Sequence, residues 1–216
     1  MRCMLATAAA AALLGCGGGG KDQAPVDGGP PKQLPTGTGS ASFTMSDAGA
    51  VIIAPVTCSI QGSTVYAAGL MLGFSSFGGL CDFVRSTALC GDKASASLAG
   101  LAIFKAGALQ AQSPVGPGTY TYVANPMPDA SGNVVQVSGD VTQTNMACGA
   151  TQNGVTAGSV TVTSAAGGRI VGSLDLTLAD GSTITGPFDV GTCAYTVDIC
   201  AIIGGTDCPG ARACIP

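Results

Sequence analysis

The chain has 216 residues, 12 acidic and 8 basic side chains, a formal net charge of −4, and neither histidine nor tryptophan. Charged residues make up 9% of it, far below the ~25% of an average soluble domain, and the mildly acidic balance argues against nucleic acid as a partner. Without histidine there is no Ser-His-Asp triad, no Cys-His pair and no His-ligated metal. The composition therefore predicts a protein that is not an enzyme, with no catalytic residues, no metal site and no cofactor.

The first residues have the pattern of an export signal. Arg2 precedes an apolar run that ends in Leu13-Leu14-Gly15-Cys16. A run of about twelve residues at ~1.5 Å each is too short for the ~30 Å hydrocarbon core, which favours a cleaved signal over a spanning helix. The four-residue motif resembles the lipobox of bacterial lipoproteins. This resemblance implies a signal peptide over residues 1–15, cleavage before Cys16 and acylation of Cys16; the competing interpretation is an ordinary secretory signal with a chance cysteine.

Residues 16–40 combine the lipidated cysteine with a Gly- and Pro-rich stretch that lacks apolar periodicity. Such a stretch is typical of a flexible tether, here reaching roughly 80 Å when extended. We therefore expect a protein of the cell envelope that contacts a membrane through its lipid anchor. The outer membrane is favoured, with the folded domain periplasmic or surface-exposed. The sequence does not identify its partner in the envelope or outside the cell.

Short β-prone runs separated by glycine and proline turns fill residues 41–192. They predict one domain of mainly β structure, an antiparallel β-sandwich or open barrel. The predicted strands are 42–45, 51–53, 64–74, 98–104, 119–123, 134–144, 159–163, 169–178 and 183–190. Apolar residues three and four positions apart, Leu80, Phe83 and Val84, indicate one short helix over about 79–89.

The last two predicted strands define a register. A two-residue turn at Asp180-Gly181 would place leucines opposite threonines. A three-residue loop over 179–181, with Gly181 in the left-handed conformation, instead pairs Leu176 with Ile184 and gathers the apolar side chains on one face. The periodicity therefore favours the three-residue loop.

The preceding turn is also predicted to be a three-residue loop, over 165–167, which pairs Val162 with Ile170. In this register Asp175 and Asp189 lie on the outer face, ~14 Å apart along the strand. That separation exceeds the ~5 to 9.5 Å between the two carboxyl groups of a glycosidase. We therefore expect both acids to be solvated surface residues with no catalytic partnership.

Eight cysteines remain once Cys3 leaves with the signal and Cys16 takes the lipid. An even number in an exported chain, without a Cys-x-x-Cys pair or a histidine, favours four disulfides over a zinc site. The eight are Cys58, Cys81, Cys90, Cys148, Cys193, Cys200, Cys208 and Cys214.

Spacing limits which cysteines can pair, because the two Cα atoms of a disulfide lie within ~7 Å. A bond is therefore not expected between Cys193 and Cys200 in one strand, or between Cys81 and Cys90 in the helix. A turn between Cys208 and Cys214 would allow these two to pair. Residues 193–216 form a Cys-rich C-terminal segment that we expect to pack on the sandwich.

The C-terminal half contains three glycine-led β segments, which begin at Gly158, Gly172 and Gly186 and close at Cys193. They resemble a family of small Ala/Gly-rich predicted lipoproteins from high-GC Gram-negative bacteria. The resemblance implies successive strands of a β-sandwich, and no established activity accompanies it. Pro187 departs from the usual Ser or Thr of this pattern and indicates an edge strand.

Two functional interpretations remain open. The first is a non-enzymatic, membrane-anchored envelope lipoprotein that acts as a structural, adhesive or interaction module. The alternative is a carbohydrate or small-ligand binding domain in which Tyr120 and Tyr122, two apart on one strand face, form a stacking platform. A Ser/Lys dyad around Lys93 is less favoured than a solvated turn. Exposure of both tyrosines on one concave face would support binding.

Overall fold

The computed structural model describes residues 28–60, 62–87, 89–203 and 213–216. It confirms a mainly β, disulfide-bonded fold. In chain order the elements are β1 (Thr36–Gly37), a 3-10 turn (Gly39–Ala41), β2 (Asp47–Ile60), β3 (Ser63–Ser75), α1 (Leu80–Thr87), β4 (Gly91–Lys93), β5 (Ser97–Gly107), β6 (Gly118–Thr121), β7 (Asn133–Thr144), β8 (Ala150–Ala166), β9 (Arg169–Leu178), β10 (Thr183–Thr192), α2 (Ile199–Ile203) and β11 (Ala213–Ile215).

The seven long strands form a closed ring, in the order β2, β3, β5, β7, β8, β9 and β10. Neighbours around the ring are antiparallel, except that β10 returns to β2 through a short parallel pairing of Gly191 with Gly49 and of Thr192 with Ala50. Two short strands extend the sheet, since β1 pairs with β10 and β6 pairs with β8. The long strands thus curl into one closed sheet, and β4 and β11 form a separate two-stranded sheet.

The interior of the ring is a single apolar core to which every long strand contributes. Side chains alternate between the two faces of a strand, so every second residue points inward. The largest interior side chains are fully buried, and the rings of Phe74 and Phe188 meet edge to face with centroids 6.1 Å apart. This shared core holds the ring together from within.

The register predicted for the last hairpin is confirmed. Leu176 lies opposite Ile184, and Gly181 has a φ of +82° in the three-residue loop. The prediction for the preceding turn is wrong, because Val162 pairs with Gly172 and not with Ile170.

That preceding turn consists of two glycines, Gly167 and Gly168, which both have positive φ, as a tight hairpin turn requires. A bulge between Val162 and Ser164 then restores the inward direction of the apolar side chains.

An outer layer covers the outside of β2 and β3. It consists of α1 and residues 193–203, which include α2, and it buries a second apolar cluster that includes Val51, Ile53 and Ile199. The predicted helix over 79–89 is present as α1. The second helix was not predicted, because five residues are too few to show a helical period. The strand expected over 42–45 is also absent, since that segment lies irregularly against the interior core.

Residues 28–37, which the sequence assigns to the tether, lie along β10; we call them the N-terminal arm. Gln33 bridges to Asp189, and Thr36 pairs with Thr185. The Arg169 guanidinium donates to the Gly28 carbonyl at 2.8 Å and forms an ion pair with Asp189 at 2.5 Å. This part of the expected tether is therefore held on the ring, and residues 16–27 lie outside the described part of the chain.

Three disulfides join the described residues: Cys58–Cys200, Cys81–Cys193 and Cys148–Cys214. Cys90 is also disulfide-bonded. The expectation that Cys193 and Cys200 have separate partners is confirmed. The suggested bond between Cys208 and Cys214 is wrong, because β11 pairs with β4 and brings Cys214 to Cys148; Cys208 itself lies outside the described residues. These bonds indicate an oxidising, extracytoplasmic compartment.

Candidate functional site

An apolar cavity of about 130 Å³ lies between α1 and the outer face of the ring; we call it the slot. Strands β2, β3 and β5 form its floor, and α1 forms its roof. The residues that line it are all apolar, namely Gly49, Val51, Met71, Leu72, Gly73, Leu80, Val84, Leu89, Leu98, Gly100 and Cys193. A concave apolar site beside a few polar groups is the usual form of a small-ligand pocket.

The floor of the slot is a row of glycines on adjacent strands. Gly49 pairs with Gly73, and Gly73 pairs with Gly100. Strands lie ~4.8 Å apart, so the row is roughly 10 Å long. Since none of the three residues has a side chain, the groups of the outer layer can approach the sheet closely along this row.

The two ends of this row differ. A Cβ atom placed on Gly49 would lie 2.6 Å from the Cys193 Sγ, so the Cys81–Cys193 disulfide closes that end. A Cβ on Gly73 would meet Leu80 at 3.0 Å, whereas a Cβ on Gly100 would meet only the Asp140 carboxylate, at 4.0 Å. The slot is therefore closed at Gly49 and open at Gly100.

Helix α1 is held over the floor by several contacts. The Asp47 carboxylate, at the start of β2, accepts hydrogen bonds from the Leu80 and Ala48 backbone N–H groups, both at 2.8 Å. An acceptor at a helix N-terminus satisfies an N–H that has no partner within the helix and interacts favourably with the helix dipole. Leu80 is buried, and the rings of Phe77 and Phe83 meet edge to face at 5.3 Å. The roof is thus positioned independently of any ligand.

A shallow groove continues from the open end of the slot. Gly100, Ala102, Ser138, Gly139 and Asp140 line it, together with Met71, Leu72 and Leu101. Asp140 lies directly opposite Gly100 in the register, and its carboxylate also accepts a hydrogen bond from the Thr142 hydroxyl at 3.4 Å. An apolar cavity thus opens beside a carboxylate; we call this end the mouth.

The two tyrosines of the alternative interpretation are half-buried. Tyr120 and Tyr122 pack against the interior core. The Tyr120 hydroxyl donates to the Gly116 carbonyl at 2.8 Å. Neither ring is exposed, so this packing gives no support to a stacking platform.

The two acids considered for glycosidase chemistry lie where the register places them. Asp175 is opposite Thr185 and exposed, whereas Asp189 is opposite Val171 and only 19% exposed. The expectation that Asp189 is solvated is wrong, because the N-terminal arm covers it and Arg169 neutralises it.

Lys93, the candidate base of a Ser/Lys dyad, donates from its ammonium group to an oxygen of Pro216. The lipidation candidate Cys16 lies outside the described residues. Sequence reasoning did not find the slot, although glycine inside a strand does mark a place where another group approaches closely. The missing information was the register that brings Gly49, Gly73 and Gly100 into one row.

No protein-family model, curated protein or solved structure matches the chain. Within the described ranges, no helix has the length and apolar character to cross a membrane. The same residues contain no group of three His, Cys, Asp or Glu side chains arranged to hold a metal ion.

Proposed function

We propose that this protein is a membrane-anchored envelope lipoprotein without enzymatic activity, and that the disulfide-bonded ring is an interaction module held close to the membrane. The observation that carries this proposal is the attachment of the N-terminal arm to the ring. Gly28 is hydrogen-bonded to Arg169 and to the Thr192 carbonyl, so the chain is fixed on the ring from residue 28 onward.

The attachment limits how far the ring extends from its anchor. Cys16 and Gly28 are separated by 12 residues, which span at most roughly 40 Å. This is about half of the reach that a tether up to Ser40 would have. The ring therefore acts near the bilayer surface.

Other observations support the same proposal. The motif Leu13-Leu14-Gly15-Cys16 supports acylation, and the three disulfides support an extracytoplasmic location. The complete absence of histidine from the sequence supports a role without acid-base catalysis at neutral pH. The outer membrane is the proposed site of the anchor.

Replacing Cys16 tests the anchor. We expect Cys16→Ala to move the protein from the membrane fraction of its native host to the soluble fraction, because the acyl chains are lost. Cys3→Ala is the matched control, since it also removes a cysteine from the N-terminal region, and it should leave the protein in the membrane fraction. The proposal would be overturned if Cys16→Ala stayed in the membrane fraction and the mass of the wild-type protein showed no added acyl chains.

A further inference from the structure

We propose that one end of the ring rests on the bilayer surface, with the tips of two loops inserted among the lipid head groups. The first loop, residues 108–117, connects β5 with β6, and the second, residues 122–132, connects β6 with β7. The inference rests on the proposed function, because the lipid anchor is what brings the ring to a membrane.

The topology places both loops at the end of the ring where the anchor is attached. Because neighbouring long strands from β2 to β10 are antiparallel, their connections alternate between the two ends of the ring. The β2–β3 turn, the two loops, the β8–β9 turn and the end of β10 therefore lie at one end, which we call the anchor end. Gly28 is held there, since its N–H donates to the Thr192 carbonyl at 2.9 Å and its carbonyl accepts from Arg169 at 2.8 Å.

The short link to the anchor favours a bilayer as the occupant of this end. Cys16 and Gly28 are separated by 12 residues, which span at most roughly 40 Å. The anchor end is therefore the part of the ring that the acylated cysteine keeps closest to lipid. A contact between a tethered domain and its own membrane is intramolecular, so that a few exposed apolar side chains are sufficient to maintain it.

Both loops expose large apolar side chains. Leu109 is 76% exposed, Val123 49% and Met127 82%. The two loops are neighbours, because a Cβ atom placed on Gly132 would lie 3.5 Å from the Leu109 side chain. Single exposed apolar residues are ordinary, whereas several on adjoining loops indicate a surface that contacts an apolar phase.

The distribution of charge fits a shallow, apolar contact. The sequence contains no charged residue between Lys105 and Asp129, so the loop tips can enter the head-group layer without burying a charge. The Lys105 ammonium group donates to the Pro114 carbonyl at 3.2 Å, and Asp129 is exposed. These two charges must stay hydrated, which limits insertion to the depth of the head groups.

The loops are also ordered before they meet a membrane. The buried Gln112 amide donates to the Asn133 side chain at 2.8 Å and to the Gln110 carbonyl at 3.1 Å, and so joins the two loops. Prolines restrict the backbone φ at four further positions, Pro114, Pro117, Pro126 and Pro128. Little conformational entropy is therefore lost when the loops bind.

Two native methionines provide a matched pair for the first test. Met127 lies at the anchor end, whereas Met146, which is 86% exposed, lies between β7 and β8 at the opposite end. We would insert the full-length acylated protein into the outer leaflet of phosphatidylcholine vesicles and measure methionine oxidation by chloramine-T, a charged oxidant that stays in water. On vesicles, Met127 should be oxidised severalfold more slowly than Met146; in the unacylated Cys16→Ala protein in solution, the two rates should be similar.

Single tryptophans give a second test, because the chain contains none. Leu109→Trp and Met127→Trp place the probe in the two loops, and Met146→Trp is the matched control. Each replaces an exposed side chain, so we expect the fold to be retained. In vesicles of brominated phosphatidylcholine, the emission of the two loop probes should shift to the blue and be quenched severalfold more than that of the control.

Flotation of the vesicles reports on the anchor separately. If the wild-type protein does not float with them, the proposed function and this inference both fail. If it floats but Met127 and Met146 are oxidised at equal rates, or the three tryptophans are quenched equally, the inference alone is overturned. A blue shift of the loop probes without quenching by brominated lipid would mean that a second copy of the chain covers the loops, and it would also overturn the inference.

Discussion

The inside of the ring and the outer layer bury apolar side chains by different means. The interior cluster takes residues from seven long strands and contains no cysteine, whereas the outer cluster contains Cys58 and Cys193 and is bordered by Cys81 and Cys200. The outer layer consists of a helix of 8 residues, a helix of 5 residues and irregular chain. Helices this short are not stable alone, so covalent bonds hold them where burial is insufficient.

The same comparison explains where the cavity is. Phe74, Phe188 and large aliphatic side chains occupy the interior. In the outer layer, glycines of the sheet face α1, and the Cys81–Cys193 disulfide holds α1 above them. The cavity of about 130 Å³ lies in this covalently held layer.

Truncating an interior aromatic residue should have the largest effect. Phe188 is completely buried and contacts Phe74, so Phe188→Ala should lower the free energy of unfolding by about 3–5 kcal/mol. Urea unfolding of the oxidised protein measures this. Phe188→Leu keeps most of the volume and should cost clearly less. A loss below about 1 kcal/mol for the alanine variant would mean that the interior is not the main source of stability.

Removing the disulfide that closes the slot should have the next largest effect. The double variant Cys81→Ala/Cys193→Ala should lose about 2–4 kcal/mol. Hydrogen exchange should then accelerate in α1 and residues 193–203, while β9 and β10 keep their protection. The matched control is Cys148→Ala/Cys214→Ala, which removes a bond outside the outer layer and should leave exchange in α1 unchanged. Equal acceleration of β9 and α1 in the first variant would show that the two regions unfold as one.

The two regions also differ in how much the sequence predicts. The β9–β10 register follows from alternating leucines and a glycine at position 181, because both signals are local. The β8–β9 register does not follow from local signals. Gly167 and Gly168 form a turn one residue shorter than predicted, and the bulge after Val162 offsets the resulting shift in register.

The slot, the closure of the ring and the arm depend on contacts between residues far apart in the chain. Gly191 pairs with Gly49, Cys81 with Cys193, and Asp189 with Gln33. No periodicity within a strand or helix encodes such pairings. The prediction of a flexible tether was wrong from residue 28 onward for the same reason. A Gly- and Pro-rich composition indicates how flexible a segment is by itself, but it does not show that Arg169, far along the chain, binds the segment to the ring.

Removing the cap of α1 tests the outer layer without breaking a covalent bond. Asp47→Ala leaves the Leu80 N–H without its acceptor, and it should cost about 1 kcal/mol. Hydrogen exchange in the first turn of α1 should accelerate, with little change in β9. Asp47→Asn keeps one acceptor oxygen, so its free energy of unfolding should lie between those of the alanine variant and the wild type. If hydrogen exchange in α1 were unchanged in Asp47→Ala, the disulfide and Leu80 would be sufficient to hold the helix.

The smallest expected effect belongs to the turn that closes the β9–β10 hairpin at the edge of the interior core. Hydrogen bonds from the Ser182 hydroxyl and then from the Ser182 N–H hold the pKa of Asp180 well below its usual range. A carboxyl group whose pKa is lowered by folding stabilises the protein fully above the unfolded-state value of ~3.9, and this contribution is lost as the pH falls below that value toward the folded-state pKa.

The unfolding free energy of the wild-type protein should therefore fall more steeply between about pH 5 and pH 2 than that of Asp180→Asn, which cannot take up this proton. The difference should be small, because the Asp180 side chain is exposed to solvent. The other aspartates titrate equally in both proteins and cancel in the comparison. Carboxyl NMR titration of Ser182→Ala gives the direct measurement: the pKa of Asp180 should rise once the hydroxyl donor is lost. Parallel unfolding curves together with an unchanged pKa would show that the hydrogen bonds of this turn do not favour the ionised carboxylate.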